Sequence, residues 1–360
     1  MRELDAGVLP DIARGAAILG CGGGGDPHIG MLLATRAIEL NGPATLVSVD
    51  EVPADAVVVP VAMMGAPTVS TEKLPQGGEA VAALRALERT TGRRATHLVP
   101  IEIGGMNSLV PVAAAVETGL PLVDGDGMGR AFPEAQMTLP SLAGVSATPM
   151  AITDDKGNTT LVETGSNRWA ERIARAVCTE SGCSVFTADT LLAGHQLADG
   201  LVSGTVTLAQ RLGAAVRSAR EDHADPVAAA VDVLGGVHLA TGKITDVRRA
   251  TSRGFARGTA TVESIGRTDV GALVLSMQNE FLLARGEGGA VLASTPDLIC
   301  VLETDTGEPI TTEALRYGHR VTVVAAPCDP RWTTSGGLDL VGPAAFGYHH
   351  AYSSVRVNAS

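Results

Sequence analysis

The sequence predicts an α/β protein: a mostly parallel sheet covered by helices, followed by a small antiparallel barrel or sandwich. Three observations predict it. The chain has 360 residues, too many for one ordinary hydrophobic core, so two domains are expected. Short Val-rich runs alternate with helix-like segments through the first half, the pattern of strands joined by crossover helices. After Gly235-Gly236 the texture changes to short apolar strands separated by Gly, Asp and Pro, with few helical stretches between them.

Taken in order, Asp11–Leu19 reads as a short helix broken by the run Gly22–Gly25. Asp26-Pro27 opens a second helix, with Asp as N-cap and Pro at the first helical position, and Asn41-Gly42 stops it. Ala44–Val49 and Ala56–Ala62 read as buried strands. A helix over Gly78–Thr91, a strand over His97–Ile103, a helix over Asn107–Thr118 and a strand over Leu120–Val123 continue the alternation. Thr148–Thr164 reads as a hairpin turning at Asp155-Lys156-Gly157-Asn158. Helices follow at Arg168–Cys178, Thr207–Ala219 and Pro226–Leu234. The C-terminal strands are Lys243–Val247, Phe255–Val262, Ala272–Phe281, Leu298–Leu302 and Arg320–Ala325, with one weak helix at Thr312–Tyr317. These boundaries give a domain of residues 1–167 carrying the main ligand site. A second domain spans 168–360, helical to about 235 and β-barrel-like from about 236 to 345.

Composition narrows the function classes. With 45% hydrophobic and 18% charged residues the chain can bury a sizeable core. A net charge of −12 and the lack of a Lys/Arg-rich run argue against nucleic acid as a partner. A local cation can still hold a small anion. No run reaches the roughly 18 apolar residues that span a membrane, and the charged, Pro-interrupted start is no secretory signal, so a cytoplasmic location is expected. Five scattered cysteines, an odd number without a CxxC, read as free thiols in a reducing compartment.

Several segments could carry chemistry. In Leu19–Gly30, LGCGGGGDPHIG, Gly23, Gly24 and Asp26 stand before a capped helix. They fit an anion or substrate contact, or a hinge between helices. The spacing fits neither a dinucleotide fingerprint nor a P-loop. Met63–Leu74 follows a buried strand, where ligands of open α/β sheets bind, and offers Thr71, Glu72 and Lys73. Glu102 interrupts the apolar run VPIEIGG, where a carboxylate is costly unless paired, hydrogen-bonded or metal-bound. Asn107 could cap the next helix or touch a ligand. The densest signal is Val123–Glu134, VDGDGMGRAFPE, expected as an acidic glycine-hinged loop at a strand end. Asp124 and Asp126 could split their pKa values, hold a divalent metal or bind a polar ring. Arg130 could neutralise them or hold a substrate carboxylate. In the second domain Gln278, Asn279 and Glu280 break an apolar strand, as a polar cluster or as its outward face. The eight histidines form no HxH or HExxH, and no GxSxG elbow is present.

Together these segments resemble the S-methyl thiohydantoin desulfurase family, formerly a domain of unknown function. The resemblance runs through Gly20–Pro27, GAPTVSTEK at Gly65–Lys73, EIGGMNS at Glu102–Ser108 and GLPLVDGDGMGRAFPE at Gly119–Glu134. It continues through QNE at Gln278–Glu280, TPDLI at Thr295–Ile299 and GPAAFGY at Gly342–Tyr348. It implies a three-layer αβα domain followed by a β-barrel-like domain, and hydrolytic removal of methanethiol from an S-methylated thiohydantoin to give a hydantoin. The small-molecule partner would be that thiohydantoin or a related cyclic amide. A non-catalytic hydantoinase partner or ligand-binding regulator is the competing class. On this reading Asp124 or Asp126, with Glu102 in reserve, activates water. Gly23, Gly24, Asp26, Thr71, Glu72, Lys73, Asn107, Arg130, Glu134, Gln278 and Asn279 surround the substrate. A divalent metal such as zinc, held by Asp124 and Asp126, stays open, as does a homo-oligomer.

Overall fold

The computed structural model describes residues 1–65, 69, 73–252, 255–264 and 271–355. Its first sheet begins with β1 (Arg2–Leu4), β2 (Ala44–Ser48), β3 (Val57–Gly65), β4 (His97–Pro100) and β5 (Leu122–Asp126). These make a mostly parallel sheet in the order β1-β2-β5-β4-β3, with only β1 antiparallel. The hairpin β6 (Met150–Thr153) and β7 (Thr159–Val162) joins through β8 (Ser184–Ala188), which lies antiparallel against β3. Two short strands, β9 (Leu192–Ala193) and β10 (Val202–Ser203), pair with β3 and β5.

Alternate residues of the parallel strands feed two cores. Val59, Val61 and Leu98 pack on one face with helices α1 (Leu9–Leu19), α2 (Pro27–Asn41), α3 (Glu79–Thr91) and α4 (Val110–Thr118). Val47, Val58, Val99 and Val123 pack on the other with Leu197 and Leu201. Burial on both faces is why these strands read as continuous apolar runs. After α5 (Leu139–Leu142), α6 (Asn167–Glu180) and α7 (Leu197–Gly200), the chain enters α8 (Thr205–Glu221), which packs along α1, and α9 (Pro226–Leu234). The expected domain break near residue 167 falls at the start of α6. The chain then returns to the first sheet as β8, β9 and β10 before leaving it.

The C-terminal sheet is antiparallel and curled into a half-barrel. It contains β11 (Val237–Ser252), β12 (Phe255–Ser264), β13 (Ala272–Gln278), β14 (Glu280–Arg285), β15 (Val291–Ser294), β16 (Leu298–Glu303) and β17 (Arg320–Ala326). The order is β15-β14-β13-β12-β11-β17-β16, and the curl brings β14 and β15 against β16. Its interior holds Ile244, Val262, Leu275, Phe281, Val301 and Val323. The last helix is α10 (Ser335–Val341). The buried Asp297 of TPDLI ties down the tail, accepting from the Cys328 amide (3.1 Å), the Tyr352 hydroxyl (2.8 Å) and the Val355 amide (2.6 Å).

Three local readings change. The segment expected as an acidic loop is partly strand, because β2 pairs Ser48 with Asp124 while β10 pairs Ser203 with Gly125 and Val202 with Asp126, which carries β5 through both aspartates. The strand expected over Ala272–Phe281 reverses at Asn279, a non-glycine residue with φ 57°. Asn279 tolerates that conformation because its side chain substitutes for a strand partner: Ala256 N donates to Asn279 Oδ1 at 2.9 Å, and Asn279 N donates to Ala256 O at 2.8 Å. No helix forms over Thr312–Tyr317; Thr312 instead donates its amide to Gly22 O at 3.0 Å and its hydroxyl to Asn279 O.

Candidate functional site

A cleft opens at the carboxyl ends of β3 and β4, between the first sheet and the half-barrel. Its lining includes Ala62–Gly65, Ile101, Glu102, Asn107, Met128, Phe132–Ala135, Arg175, Thr187, Asp189, Asn279 and Glu280. Gly24 and Gly25 form its floor on the α1–α2 side.

Glu102 is placed by a chain of contacts that begins with the strand end. β4 stops at Pro100, and residues 101–104 run irregularly into a short 3₁₀ turn over Gly105–Ser108. Asn107 on that turn caps no helix. Its amide instead spans to β3, accepting from Met63 N at 2.7 Å and donating to Met63 O at 3.0 Å and to Glu102 Oε1 at 2.6 Å. The carboxylate is thereby fixed in a dry site. Burial pushes its pKa up to about 7, and the nearby Asp126 charge adds to the shift.

Glu280 enters from the other domain. Reversal at Asn279 breaks the strand alternation, so Gln278 lines an outer groove while Glu280 lines the cleft. Glu280 is 3% exposed, and its Oε2 has no partner among the described residues. Burial, then the Glu102 charge, holds its pKa well above the usual carboxylate range. Asp189, after β8, is a third buried acid of the cleft; its Oδ1 accepts the Thr190 hydroxyl at 2.6 Å, and burial lifts its pKa to about 6.

The remaining predicted residues separate by position. Asp126 lies behind the cleft, fully buried. Its Oδ2 accepts from Ile103 N (3.1 Å), Met128 N (2.9 Å) and Gly129 N (2.8 Å), so it shapes the loops that carry Glu102 and Phe132. Burial still raises its pKa to about 7. Asp124 points to the amino end of α8, accepting from Thr207 N at 3.0 Å and from the Thr207 hydroxyl. Such capping places it outside the cleft lining. Arg130, also fully buried, donates to the carbonyls of Ala131 (3.0 Å), Asp297 (2.5 Å) and Phe281 (3.1 Å) and stacks on Phe132 at 5.0 Å. Lys73 pairs with Asp155 at 2.6 Å and donates to Ser181 O at 2.8 Å, outside the lining. Asp26 caps α2 by accepting from His28 N at 2.8 Å. Glu134 lines the cleft and accepts from Gln136 Nε2. Thr71 and Glu72 lie outside the described residues. Among the described residues no group of three or more His, Cys, Asp or Glu is arranged to hold a metal.

The glycine run serves close packing. A Cβ on Gly23 would stand 2.0 Å from Glu280 Oε1, and one on Gly24, at φ +83°, would stand 2.4 Å from the Gly104 carbonyl carbon. Two loops meet backbone to backbone here and define the cleft floor. Gly24→Ala is therefore expected to lose at least about 2 kcal/mol of stability, from left-handed strain and overpacking together. Denaturant unfolding reads this directly, and a midpoint equal to that of the parent chain would refute the packing role.

Sequence reasoning missed Asp189, Arg175 and the apolar wall. Asp189 follows an apolar strand just as Glu102 does, a signal that was available. Arg175 looks like any other arginine of an amphipathic helix, and only the fold shows Glu171 holding it at 2.8 Å against Phe255. The wall is Met63, Met64, Met128 and Phe132, with Phe132 fixed edge-on to the buried Trp332 at 5.3 Å.

The fold has a solved counterpart. A crystal structure of a protein from Chromobacterium violaceum shares 24% identity, covering 99% of this chain and 100% of that one, with a TM-score of 0.78. No curated protein matches the chain. Models of the S-Me-THD-like N-terminal and C-terminal domains match residues 8–164 and 165–355. Two consecutive halves of one family thus account for nearly the whole chain, which belongs to the S-methyl thiohydantoin desulfurase-like family.

Proposed function

We propose that this protein is a hydrolase of hydantoin metabolism that removes methanethiol from an S-methylated thiohydantoin or a related cyclic amidine. The observation that carries the reading is the pair of dry carboxyl groups, Glu102 and Glu280, facing one cleft with both pKa values pushed up by burial, Glu102 to about 7 and Glu280 well above the usual carboxylate range, where the charge on one disfavours the charge on the other. Such a pair supplies one base and one acid at the same pH. The methionine and Phe132 wall suits a methylthio group on a flat ring.

In the proposed reaction ionised Glu102 takes a proton from water as the oxygen bonds to the ring carbon bearing sulfur. Protonated Glu280 gives its proton to the adjacent ring nitrogen. The tetrahedral intermediate then returns its hydroxyl proton to Glu280 as the carbonyl forms. The carbon–sulfur bond breaks, and the departing methanethiolate takes the proton held by Glu102. One water is consumed, hydantoin and methanethiol are released, and both carboxyl groups regain their starting states.

Incubating the protein with an S-methylated thiohydantoin and measuring free thiol tests the reading. Thermal stabilisation by that compound without thiol release would favour the ligand-binding regulator. Loss of turnover after dialysis against a chelator, restored by a divalent metal, would move water activation from Glu102 to the metal. The pH dependence of kcat/KM should be bell-shaped. Its acid limb lies near 7, where Glu102 must lose its proton, and its alkaline limb lies higher, where Glu280 loses the proton it must donate. A rate flat from pH 5 to 9 would rule out this pair.

A further inference from the structure

On the outer face of the half-barrel lies a shallow, open groove of about 480 Å³, within the volume range of small-ligand sites. Its floor is set by strand register. Arg248, Thr259 and Ser276 form one cross-strand row, and Ala250, Arg257 and Gln278 form the next. Residues two apart on a strand share a face, so both rows point the same way. Phe346 and Tyr348 of the C-terminal segment stand over one side.

The charge in this groove opposes that of the whole molecule. The chain carries a formal net charge of −12, yet the lining contains three arginines and, among the described residues, no Asp or Glu. Arg249 is already committed, donating to the carbonyls of Thr312, Glu313 and Leu315. Arg248 is exposed and paired with Asp246 at 2.8 Å. Arg257 is exposed beside Tyr348, and the Arg285 guanidinium stands 6.0 Å from the Tyr348 ring. Next to Tyr348, at 6.3 Å, is His350, both of whose ring nitrogens are out of water and without a partner among the described residues. Cationic forks beside an aromatic face are what a phosphate attached to a planar ring requires.

We infer that this groove is a binding site for a phosphorylated ring compound of nucleoside monophosphate size, with the phosphate on Arg257 and the ring against Tyr348. It backs onto the catalytic cleft through the strand end Gln278–Glu280 but shares none of the proposed acid or base residues, so it stands apart from the desulfurase reading.

Calorimetry on the full chain at low salt, with AMP, inorganic phosphate and adenosine as probes, tests it. AMP should bind at least about fivefold more tightly than either fragment, since a base stacked on an aromatic ring adds affinity that phosphate alone lacks and the phosphate adds affinity that adenosine lacks. Arg257→Glu should weaken AMP at least tenfold, and Tyr348→Ala should erase the advantage of AMP over phosphate. Glu102→Gln should leave AMP binding unchanged, which separates this groove from the cleft. Arg285→Ala gives a second reading should Arg257→Glu lower the melting temperature, and it too should weaken AMP. No binding at 10 mM AMP, equal affinity for AMP and phosphate, indifference to both arginine changes, or loss in Glu102→Gln would each overturn the assignment.

Discussion

Glu102→Gln is expected to lower kcat for the proposed thiohydantoin hydrolysis by about 10²–10⁴-fold, the range of a positioned general base, while the protein stays folded. The substitution is nearly isosteric. The acceptor oxygen for Asn107 Nδ2 is retained, so the Asn107 bridge to Met63 need not break. What is lost is the group that can take a proton at neutral pH. The Gln variant should also lose the acid limb of the pH profile near 7, and a purely structural change would not remove it. Asn107→Ala makes the contrasting case. It removes the hydrogen bond that favours ionised Glu102, so the limb should move upward while the maximal rate falls less. A Glu102→Gln enzyme with more than about a tenth of the parental rate would end the assignment.

The same residue shows how much was legible beforehand. A carboxylate inside VPIEIGG stood out because burying charge is costly, and it lies where that argument pointed. The alternation of strands and helices was legible for a similar reason: two-faced burial imposes apolar runs, and caps such as Asp26 mark helix starts. Asp124 and Asp126 were the denser signal but read as a loop, because their strand partners are distant: Ser48 pairs with Asp124, and Val202, some 76 residues on (202 − 126), pairs with Asp126. Spacing along the chain carries no trace of that pairing. Glu280 was hidden by the period-2 rule, which puts it on one face with Gln278, until a left-handed Asn279 turned the chain between them. Asn279 itself was visible; its conformation was not. Local patterns thus located the walls of the cleft, and long-range pairing decided which acids face it.

That decision depends on Arg130, and Arg130→Met should cost about 3–5 kcal/mol, because it removes the buried donor that satisfies three carbonyls. The side chain is fully buried and hydrogen-bonds carbonyls in two parts of the chain: its own loop through Ala131, and the half-barrel through Phe281 and Asp297. It is also the cation whose field opposes the raised pKa of Glu280. Met fills a similar volume but leaves three carbonyl oxygens short of a donor, each a desolvated acceptor costing about 1–3 kcal/mol if water cannot replace the guanidinium. Arg130→Lys keeps the charge but cannot present a planar fork to three acceptors, so it should recover only part of the loss. Removing the cation takes away the charge that opposes the raised pKa of Glu280, so the proton affinity of that carboxyl rises further. Two readouts follow together: a urea midpoint that falls in the order wild type, Lys, Met, and an alkaline limb of kcat/KM, the one set by Glu280, displaced upward in whatever activity remains. A Met variant as stable as the parent, with an unmoved limb, would show that the two domains are joined by other contacts and that Arg130 sets neither stability nor the ionisation of the cleft.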